Sequence, residues 1–244
     1  MNANTSGVSR TNTNAIPSTF WCTLSCFSDP LLLSRVREEV EKCVVQTDTG
    51  KDRFDIKALG KNPLLQSIYA ETLRLRIAAF IMRSPERESM KINEWILPKG
   101  EIVLIATTPA HMDEKIWNTG RANAYPLDQF WAERFLVYPG DPTSGPTKAS
   151  YQRNFEVQKG KEPRFSLDDL GGSWIPYGGG FRACPGRHFA KREILMTLAI
   201  MVTLFDIDVD GSKALQTDPR AHGLGAQRPK NKLPFRIRKR KTQY

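Results

Sequence analysis

The chain has 244 residues and a formal net charge of +10, with 40% apolar and 25% charged residues. This balance is typical of a globular domain with a sizeable core and argues against a disordered or fibrous chain. The four cysteines have neither the spacing of a zinc site nor that of a disulfide framework, which predicts a reducing compartment. We expect neither a signal peptide nor a membrane span, because the N-terminus is polar and the apolar runs are short.

Five of the positive charges lie in the segment 236–241. A basic surface favours acidic partners such as nucleic acid, anionic lipid or an acidic protein. Nucleic-acid binding requires interleaved aromatic residues or a docking motif, and this segment has neither. We interpret the segment as a solvated terminus and expect no nucleic-acid partner, so a basic nucleic-acid binder is the weakest alternative.

The N-terminal quarter of the chain predicts two helices. Residues 12–28 form an apolar stretch in which Pro17 either kinks the helix or lies in its first turn. Asp29-Pro30 indicates a second start, with Asp as the N-cap and Pro at the first helical position. A helix over 31–44 follows, and residues 47–50 end it. Its inward positions at helical spacing are predicted to be Leu33, Val36, Val40 and Val44.

The middle of the chain predicts one further helix and then strands. Asn62-Pro63 repeats the start signal, before a helix over 64–76 and a strand over 78–82. Residues 95–97 and 102–105, separated by Pro98-Lys99-Gly100, predict a hairpin. Residues 106–182 are predicted to be mostly loop, with short helices near 113–117 and 127–131. Such long irregular stretches usually serve a functional site.

The C-terminal part predicts a glycine-rich turn over 177–180, a helix over 187–205 and a final hairpin between 205 and 237. The inward positions of this helix are predicted to be Ala190, Ile194, Leu195, Leu198 and Val202. The predicted fold class is therefore α+β, mainly α-helical with small β-sheets.

The segment 177–186 has the sequence Tyr-Gly-Gly-Gly-Phe-Arg-Ala-Cys-Pro-Gly and carries the strongest chemical signal. A cysteine just before a helix start lies near the positive end of the helix dipole and free backbone N–H groups, which favours a thiolate. Glycines allow a flat, bulky partner to approach, and Arg182 can bind a carboxylate. These residues suit a haem with its propionates. There are two alternatives. The segment could bind phosphate, although it lacks the Gly-Lys-Ser/Thr ending of a P-loop, or it could be a plain turn with a buried cysteine.

This segment resembles the cysteine-loop signature of cytochromes P450, Phe-Gly-x-Gly-x-Arg-x-Cys-x-Gly, with Tyr177 in place of the phenylalanine. The positions that match are Gly178, Gly180, Arg182, Cys184 and Gly186. The resemblance implies that Cys184 is the axial thiolate ligand of a haem b iron and therefore the metal-binding residue. It also implies that Arg182 and the three matching glycines bind the cofactor.

Two further segments resemble motifs of the same family. Glu71-Thr72-Leu73-Arg74 matches its Glu-x-x-Arg helix motif, although this spacing alone usually indicates an exposed pair of little energetic value. Residues 130–135 resemble its Pro-Glu-Arg-Phe region. The resemblance implies that Glu71, Arg74 and Arg134 form a buried charge triad that holds the cysteine loop.

Two weaker matches concern the propionates and dioxygen. Arg83 lies where relatives often place a propionate-binding base, although a lone arginine is usually solvated. Residues 12–21 resemble the oxygen-side helix of the branch that contains sterol 7α/12α-hydroxylases and prostacyclin synthase. Most family members have an acid–threonine pair there, whereas this chain has Asn14 and Ala15. Asn14 is the candidate catalytic residue, but an amide cannot deliver a proton as an acid does.

The resemblance begins near residue 10 and corresponds to the C-terminal half of a typical family member. We interpret residues 1–244 as a single partial P450 domain. Its parts are the end of the oxygen-side helix (10–28), the Glu-x-x-Arg helix (63–76), the cysteine loop (174–187), the helix after the cysteine (187–205) and the C-terminal hairpin with the basic tail (206–244). The missing half suggests a truncated gene model, a split gene or a degenerate copy.

The resemblance implies a haem-dependent monooxygenase that inserts one oxygen atom of O2 into a lipophilic substrate, such as a sterol, terpenoid or other secondary metabolite. An NADPH-dependent reductase or another electron donor would be its partner. Two alternatives stay open: a truncated, inactive haem-thiolate protein, and a haem-thiolate isomerase or lyase acting on a lipid peroxide. Full-length relatives usually reside in the endoplasmic reticulum membrane; without an anchor in its sequence, this chain is expected to be cytoplasmic or of unknown location.

Overall fold

The computed structural model describes residues 13–46, 52–151, 161–209 and 215–241. The α-helices in these ranges are α1 (Ala15–Phe27), α2 (Pro30–Glu41), α3 (Ile56–Lys61), α4 (Pro63–Arg76), α5 (Thr107–His111) and α6 (Arg187–Leu204). The strands are β1 (Val44–Gln46), β2 (Asp52–Phe54), β3 (Ile77–Arg83), β4 (Met90–Ile92), β5 (Trp95–Leu97), β6 (Val103–Ala106), β7 (Leu136–Val137), β8 (Arg164–Phe165), β9 (Phe205–Val209), β10 (Leu224–Ala226) and β11 (Phe235–Lys239). This is the predicted α+β class, with helices and small antiparallel sheets.

The predicted helix starts are confirmed. The Asp29 carboxylate accepts hydrogen bonds from the first amides of α2, and the Asn62 side chain accepts one from the Leu65 amide in α4. Pro17 lies in the first turn of α1, where it removes no helical hydrogen bond.

The predicted end of the second helix is wrong. Helix α2 ends at Glu41, and Val44 begins β1, which pairs with β2. The β-branched pair Val44-Val45 favours this strand. The inward face of α2 also differs by one position, because Leu32 is buried and Leu33 only partly so. The predicted stop at 47–50 lies outside the described residues.

The main core forms where α1, α2, α4 and α6 pack together. Its fully buried side chains include Val36, Leu65, Ile68, Leu195, Leu198 and Val202. Of the five positions predicted to face inward from α6, Ala190 is only partly buried and the other four are buried. A smaller cluster around Trp117 and Phe135 lies beneath the irregular segment that follows α5.

Strand β3 is the centre of a three-stranded sheet with the order β10-β3-β6. The predicted hairpin between 95–97 and 102–105 is therefore wrong, since β5 pairs with β4 and β6 pairs with β3. Asn93, with φ of 52°, closes the shorter β4–β5 hairpin in a conformation that asparagine tolerates.

The two short helices predicted near 113–117 and 127–131 are turns, whereas the described residues of this region form α5 and two 3-10 helices, Arg121–Asn123 and Gly180–Arg182. The Asp113 carboxylate accepts a hydrogen bond from the Lys115 amide, which stabilises a turn. The carbonyls of Leu127 and Gln129 accept hydrogen bonds from arginine side chains rather than from the backbone amides of a helix.

The antiparallel pairing predicted for the final hairpin is confirmed, because β9 and β11 pair from Phe235↔Val209 to Lys239↔Phe205, although a further strand lies between them in sequence. Between them, β10 crosses to β3 and brings the chain against the start of α1. Arg236 and Arg238 lie opposite Asp208 and Asp206, so acidic neighbours offset part of the basic tail. Across the described ranges, no helix combines the length and apolarity needed to cross a membrane.

Candidate active site

A cavity of about 850 Å³ opens between α4, β3 and the start of α6. Cys184 lines this cavity and is exposed, whereas the other three cysteines are buried. Apolar side chains dominate its walls and include Leu73, Ile77, Ala79, Phe80, Phe189 and Ile194. A largely apolar cavity of this size with a few polar groups is typical of a small-molecule or cofactor site.

Backbone hydrogen bonds fix the loop that carries Cys184. The Cys184 amide donates to the Tyr177 carbonyl at 2.9 Å, and the Ala183 amide donates to the Gly180 carbonyl at 3.1 Å. The Arg187 guanidinium, at the first residue of α6, donates to the Cys184 carbonyl at 3.0 Å. The backbone of Cys184 is therefore held from both sides, while its side chain is left free to face the cavity.

Two of the glycines in this loop have a backbone conformation that favours glycine. Gly178 and Gly180 have φ of +77° and +64°, a region that residues with a Cβ rarely adopt. A Cβ at either position would meet no atom within 4 Å, so open space lies beside the loop. At Gly186 a Cβ would lie 3.9 Å from the Cys184 sulfur, an ordinary contact.

Two arginines line the same cavity. Arg83, at the end of β3, donates a hydrogen bond of 3.0 Å to the Gly179 carbonyl and so ties the sheet to the loop. The Arg182 guanidinium lies 3.8 Å from the Glu86 carboxylate, and both side chains are largely exposed. Both cations are thus placed where an anionic group in the cavity can reach them.

The side chains of Glu71, Arg74 and Arg134 meet behind the loop with 0% exposure. Arg74 donates two hydrogen bonds to the Glu71 carboxylate, at 2.7 and 2.9 Å, and Arg134 donates one at 3.0 Å. Burial acts to raise the pKa of Glu71, but the two guanidinium groups outweigh it and hold that pKa below its usual range. Glu71 is therefore a carboxylate shared by two cations.

Backbone carbonyls satisfy the remaining guanidinium donors. Arg74 donates to the carbonyls of His111 and Leu127, at 2.8 and 2.7 Å. Arg134 donates to the carbonyls of Asn118, Pro126 and Gln129. The charge cluster therefore fixes the irregular segment 111–129, which has little secondary structure of its own.

The charge cluster reaches the cysteine loop through two residues that the sequence reasoning did not identify. His111 Nε2 accepts a hydrogen bond from the Ile175 amide at 3.2 Å, and Trp174 Nε1 donates to the Ala70 carbonyl at 3.2 Å. Burial, together with the nearby Arg74 charge, lowers the pKa of His111 to about 4, which keeps it a neutral acceptor. A lone histidine and a lone tryptophan have no spacing signal that could have revealed these roles.

Asn14 lines the cavity from the start of α1. Its side-chain oxygen accepts a hydrogen bond of 2.9 Å from the Ala226 amide in β10. The amide thus already joins α1 to β10, and its predicted catalytic role stays a prediction.

Comparison with known proteins identifies a family. The family model described as Cytochrome P450 matches residues 11–235. The chain is 43% identical to the cytochrome P450 monooxygenase efuG of Hormonema carpetanum, over 94% of this chain and 42% of that protein. It is also 43% identical to the cytochrome P450 monooxygenase fsoE of Humicola fuscoatra, over 95% of this chain and 40% of that protein.

A sterol-modifying protein and a solved structure are also similar. The 5-beta-cholestane-3-alpha,7-alpha-diol 12-alpha-hydroxylase of Sus scrofa is 30% identical, over 94% of this chain and 43% of that protein. The crystal structure of the cytochrome P450 CYP102L1 superposes with a TM-score of 0.64 at 20% identity, over 93% of this chain and 42% of that one, and supports the fold. The chain spans about two fifths of the length of these curated relatives.

Proposed function

The chain belongs to the cytochrome P450 family, and on that premise we propose that it forms the haem-thiolate site of a monooxygenase, with Cys184 as the axial ligand of a haem b iron. The observation that carries this proposal is the exposure of Cys184 in an apolar cavity. The alternative sulfurs are poorly suited, because burial raises the pKa of Cys22 to about 12 and raises that of Cys26 well above its usual value. The thiolate, not the neutral thiol, is the form of cysteine that ligates a metal.

The residues around the cavity fit a haem. Within the described ranges, no three His, Cys, Asp or Glu side chains cluster as the ligands of a metal ion. The iron of a haem is already bound by its macrocycle and needs only one protein ligand, which Cys184 would supply. The open space beside Gly178 and Gly180, in the loop that carries Cys184, leaves room for a flat group. Haem ligated by a thiolate supplies the chemistry that activates dioxygen.

The other site residues then have distinct tasks. Arg83 and Arg182 would hold the propionates by charge-assisted hydrogen bonds. Glu71, Arg74 and Arg134 would keep the loop in place through His111 and Trp174 without touching the cofactor. Their role is positional, because their side chains lie in the protein interior.

The substrate would be lipophilic, because it would meet the exposed apolar residues of β3, among them Phe80 and Met82. Relatives named as fungal P450 monooxygenases and as a sterol 12-alpha-hydroxylase support a sterol, terpenoid or other secondary metabolite. Asn14, whose amide has no acidic proton, would orient a group by hydrogen bonding rather than deliver a proton.

The electron donor would be an acidic protein, such as an NADPH-dependent reductase. Arg182 lies in the cysteine loop with its side chain 64% exposed, and His188 and Arg192 at the start of α6 are also exposed. Complementary charge steers such an encounter, so its rate should fall as the salt concentration rises.

The carbon monoxide complex of the reduced, haem-loaded chain tests the ligand. The unmutated chain should show the Soret band of a thiolate-ligated haem, and Cys184→Ser should lose it because a hydroxyl does not ionise at neutral pH. Cys43→Ser is the matched control, since Cys43 is buried away from the cavity and its loss should leave the band unchanged. An unchanged band in Cys184→Ser would show that the assignment is wrong.

A further inference from the structure

The turn that leads into β10 contacts the ring of Phe80, an aromatic side chain that lines the cavity. Phe80 lies on β3 and is 48% exposed. A Cβ at Gly223 would lie 2.5 and 2.6 Å from two carbons of this ring, closer than real Cβ atoms approach other atoms. Gly223 also has φ of +85°, which favours glycine independently of this contact. The ring therefore lies directly against the backbone of Gly223.

Two further contacts fix this turn and the ring to each other. The Phe80 amide donates a hydrogen bond of 3.3 Å to the Gly223 carbonyl, which joins the turn to β3. The His222 ring lies edge-on to the Phe80 ring, with the centroids 6.2 Å apart, an arrangement that aromatic pairs favour. Since β10 itself pairs with β3, the turn cannot move away from the ring without breaking the sheet. The turn thus determines where the ring stands in the wall of the cavity.

We propose that Phe80 is a specificity-determining residue and that Gly223 is the positioning residue that fixes its ring, so that the pair limits the size of the ligand that the cavity admits. This inference rests on the proposed function, which places an apolar ligand against β3 and gives the turn no task. A ring that is held in place excludes bulk, whereas a flexible side chain such as Met82, which lines the same cavity, can adapt to its ligand.

The contact can be tested without haem by introducing Gly223→Ala into the unmutated chain and into the Phe80→Ala variant. The strain of alanine at positive φ is common to both backgrounds and cancels in the comparison. The added methyl group meets the ring only where Phe80 is present, so Gly223→Ala should lower the free energy of unfolding in urea more in that background. Gly172→Ala is the matched control, because Gly172 has φ of +83° but a Cβ there would meet no atom within 4 Å. Its cost should be the same in both backgrounds.

Imidazole and 1-benzylimidazole test the size limit in the haem-loaded chain, with binding followed by absorbance. Both bind the iron through a ring nitrogen on the side opposite the ligand sulfur, so the ratio of their dissociation constants reports the room in the pocket. Phe80→Ala should tighten the binding of 1-benzylimidazole relative to imidazole by about twofold or more, the lower end of the coupling between groups in contact. Gly223→Ala should change this ratio where Phe80 is present and leave it unchanged in Phe80→Ala.

Each measurement has a result that would overturn the proposal. Equal costs of Gly223→Ala in the two backgrounds would remove Gly223 as the residue that positions the ring. A ratio that Phe80→Ala leaves unchanged or shifts in favour of imidazole, with the thiolate Soret band retained, would overturn the role of Phe80 and leave the proposed function standing. Absence of that band in the unmutated chain would overturn the proposed function and the size limit together.

Discussion

The charge cluster and the cysteine loop, which are joined through Trp174 and His111, are built in opposite ways. In the cluster, Glu71 is fully buried and accepts hydrogen bonds from two guanidinium groups. In the loop, Cys184 is exposed, and two glycines with positive φ face open space. The cluster is internally satisfied, whereas the loop borders an open cavity.

This difference indicates how the fold separates stability from binding. The buried cations hold carbonyls of the irregular segment 111–129 whether or not a ligand is present. Hydrogen bonds to its backbone, among them those from Arg83 and Arg187, fix the loop, and the loop borders the cavity, so it should gain stability from a group that binds there. Substitutions in the cluster should therefore affect folding first, and substitutions in the loop should affect binding first.

The largest effect is expected at Glu71. Glu71→Gln should lower the free energy of unfolding by about 3–5 kcal/mol, because two buried guanidinium groups lose their counter-charge. Urea denaturation of the variant and the unmutated chain measures this loss. Glu86→Gln is the control, since Glu86 is largely exposed and its 3.8 Å pair with Arg182 should contribute little. Equal losses in the two variants would contradict the distinction between cluster and loop.

The next largest effect is expected at His111, which connects the charge cluster to the cysteine loop, and it is a dependence of stability on pH. His111 has a pKa of about 4 in the folded chain instead of 6.5, because of burial and then Arg74. Between these values the unfolded chain binds the extra proton, so stability should fall as the pH falls from about 6.5 to about 4. The difference corresponds to about 3 kcal/mol.

The variant His111→Gln isolates this contribution. Glutamine can still accept a hydrogen bond from the Ile175 amide but does not titrate. Urea denaturation at pH 7, 5.5 and 4 should show a smaller loss of stability in the variant than in the unmutated chain. Carboxylates titrate in both proteins, so the difference between the two pH profiles reports the histidine. Parallel profiles would mean that His111 is not buried in its neutral form.

A smaller effect is expected from adding a methyl group to the loop. Gly180→Ala should cost about 1 kcal/mol or more, because alanine is strained at positive φ. Gly186→Ala should cost less, because Gly186 has φ of −77° and its Cβ would make an ordinary contact. Haem stoichiometry and urea denaturation of both variants test this order, and a greater loss in Gly186→Ala would reverse it.

Local signals predicted the elements whose boundaries are set by local chemistry. Asp29-Pro30 and Asn62-Pro63 mark helix starts because the cap side chain and the proline ring act on the first turn itself. The β3–β6 pairing was missed because a strand's partner depends on the whole sheet. The short apolar run 103–106 suits either neighbour by pattern alone.

The residues of the site also divide into those that a local sequence pattern reveals and those that it does not. The spacing of Glu71 and Arg74 and the segment around Cys184 carry enough pattern to be recognised, and the geometry brings both arginines to Glu71. His111 and Trp174 act through burial and distant contacts, which no single sequence position reveals. Residues that connect a site to its scaffold are thus harder to predict than the motif itself.

The smallest effect on folding, and the sharpest contrast with the cluster, is expected at Arg182. Its side chain is 64% exposed and pairs with the exposed Glu86, so Arg182→Gln should change the free energy of unfolding of the haem-free chain by less than about 1 kcal/mol. The same variant should bind haem more weakly, because a propionate would lose a charge-assisted hydrogen bond. Haem titration followed by absorbance measures the affinity. Arg164→Gln is the control, because it removes an exposed cation, paired with Asp168, that does not line the cavity. Equal haem affinity in the two variants would remove Arg182 from the site and leave Arg83 as the proposed cation for the propionates.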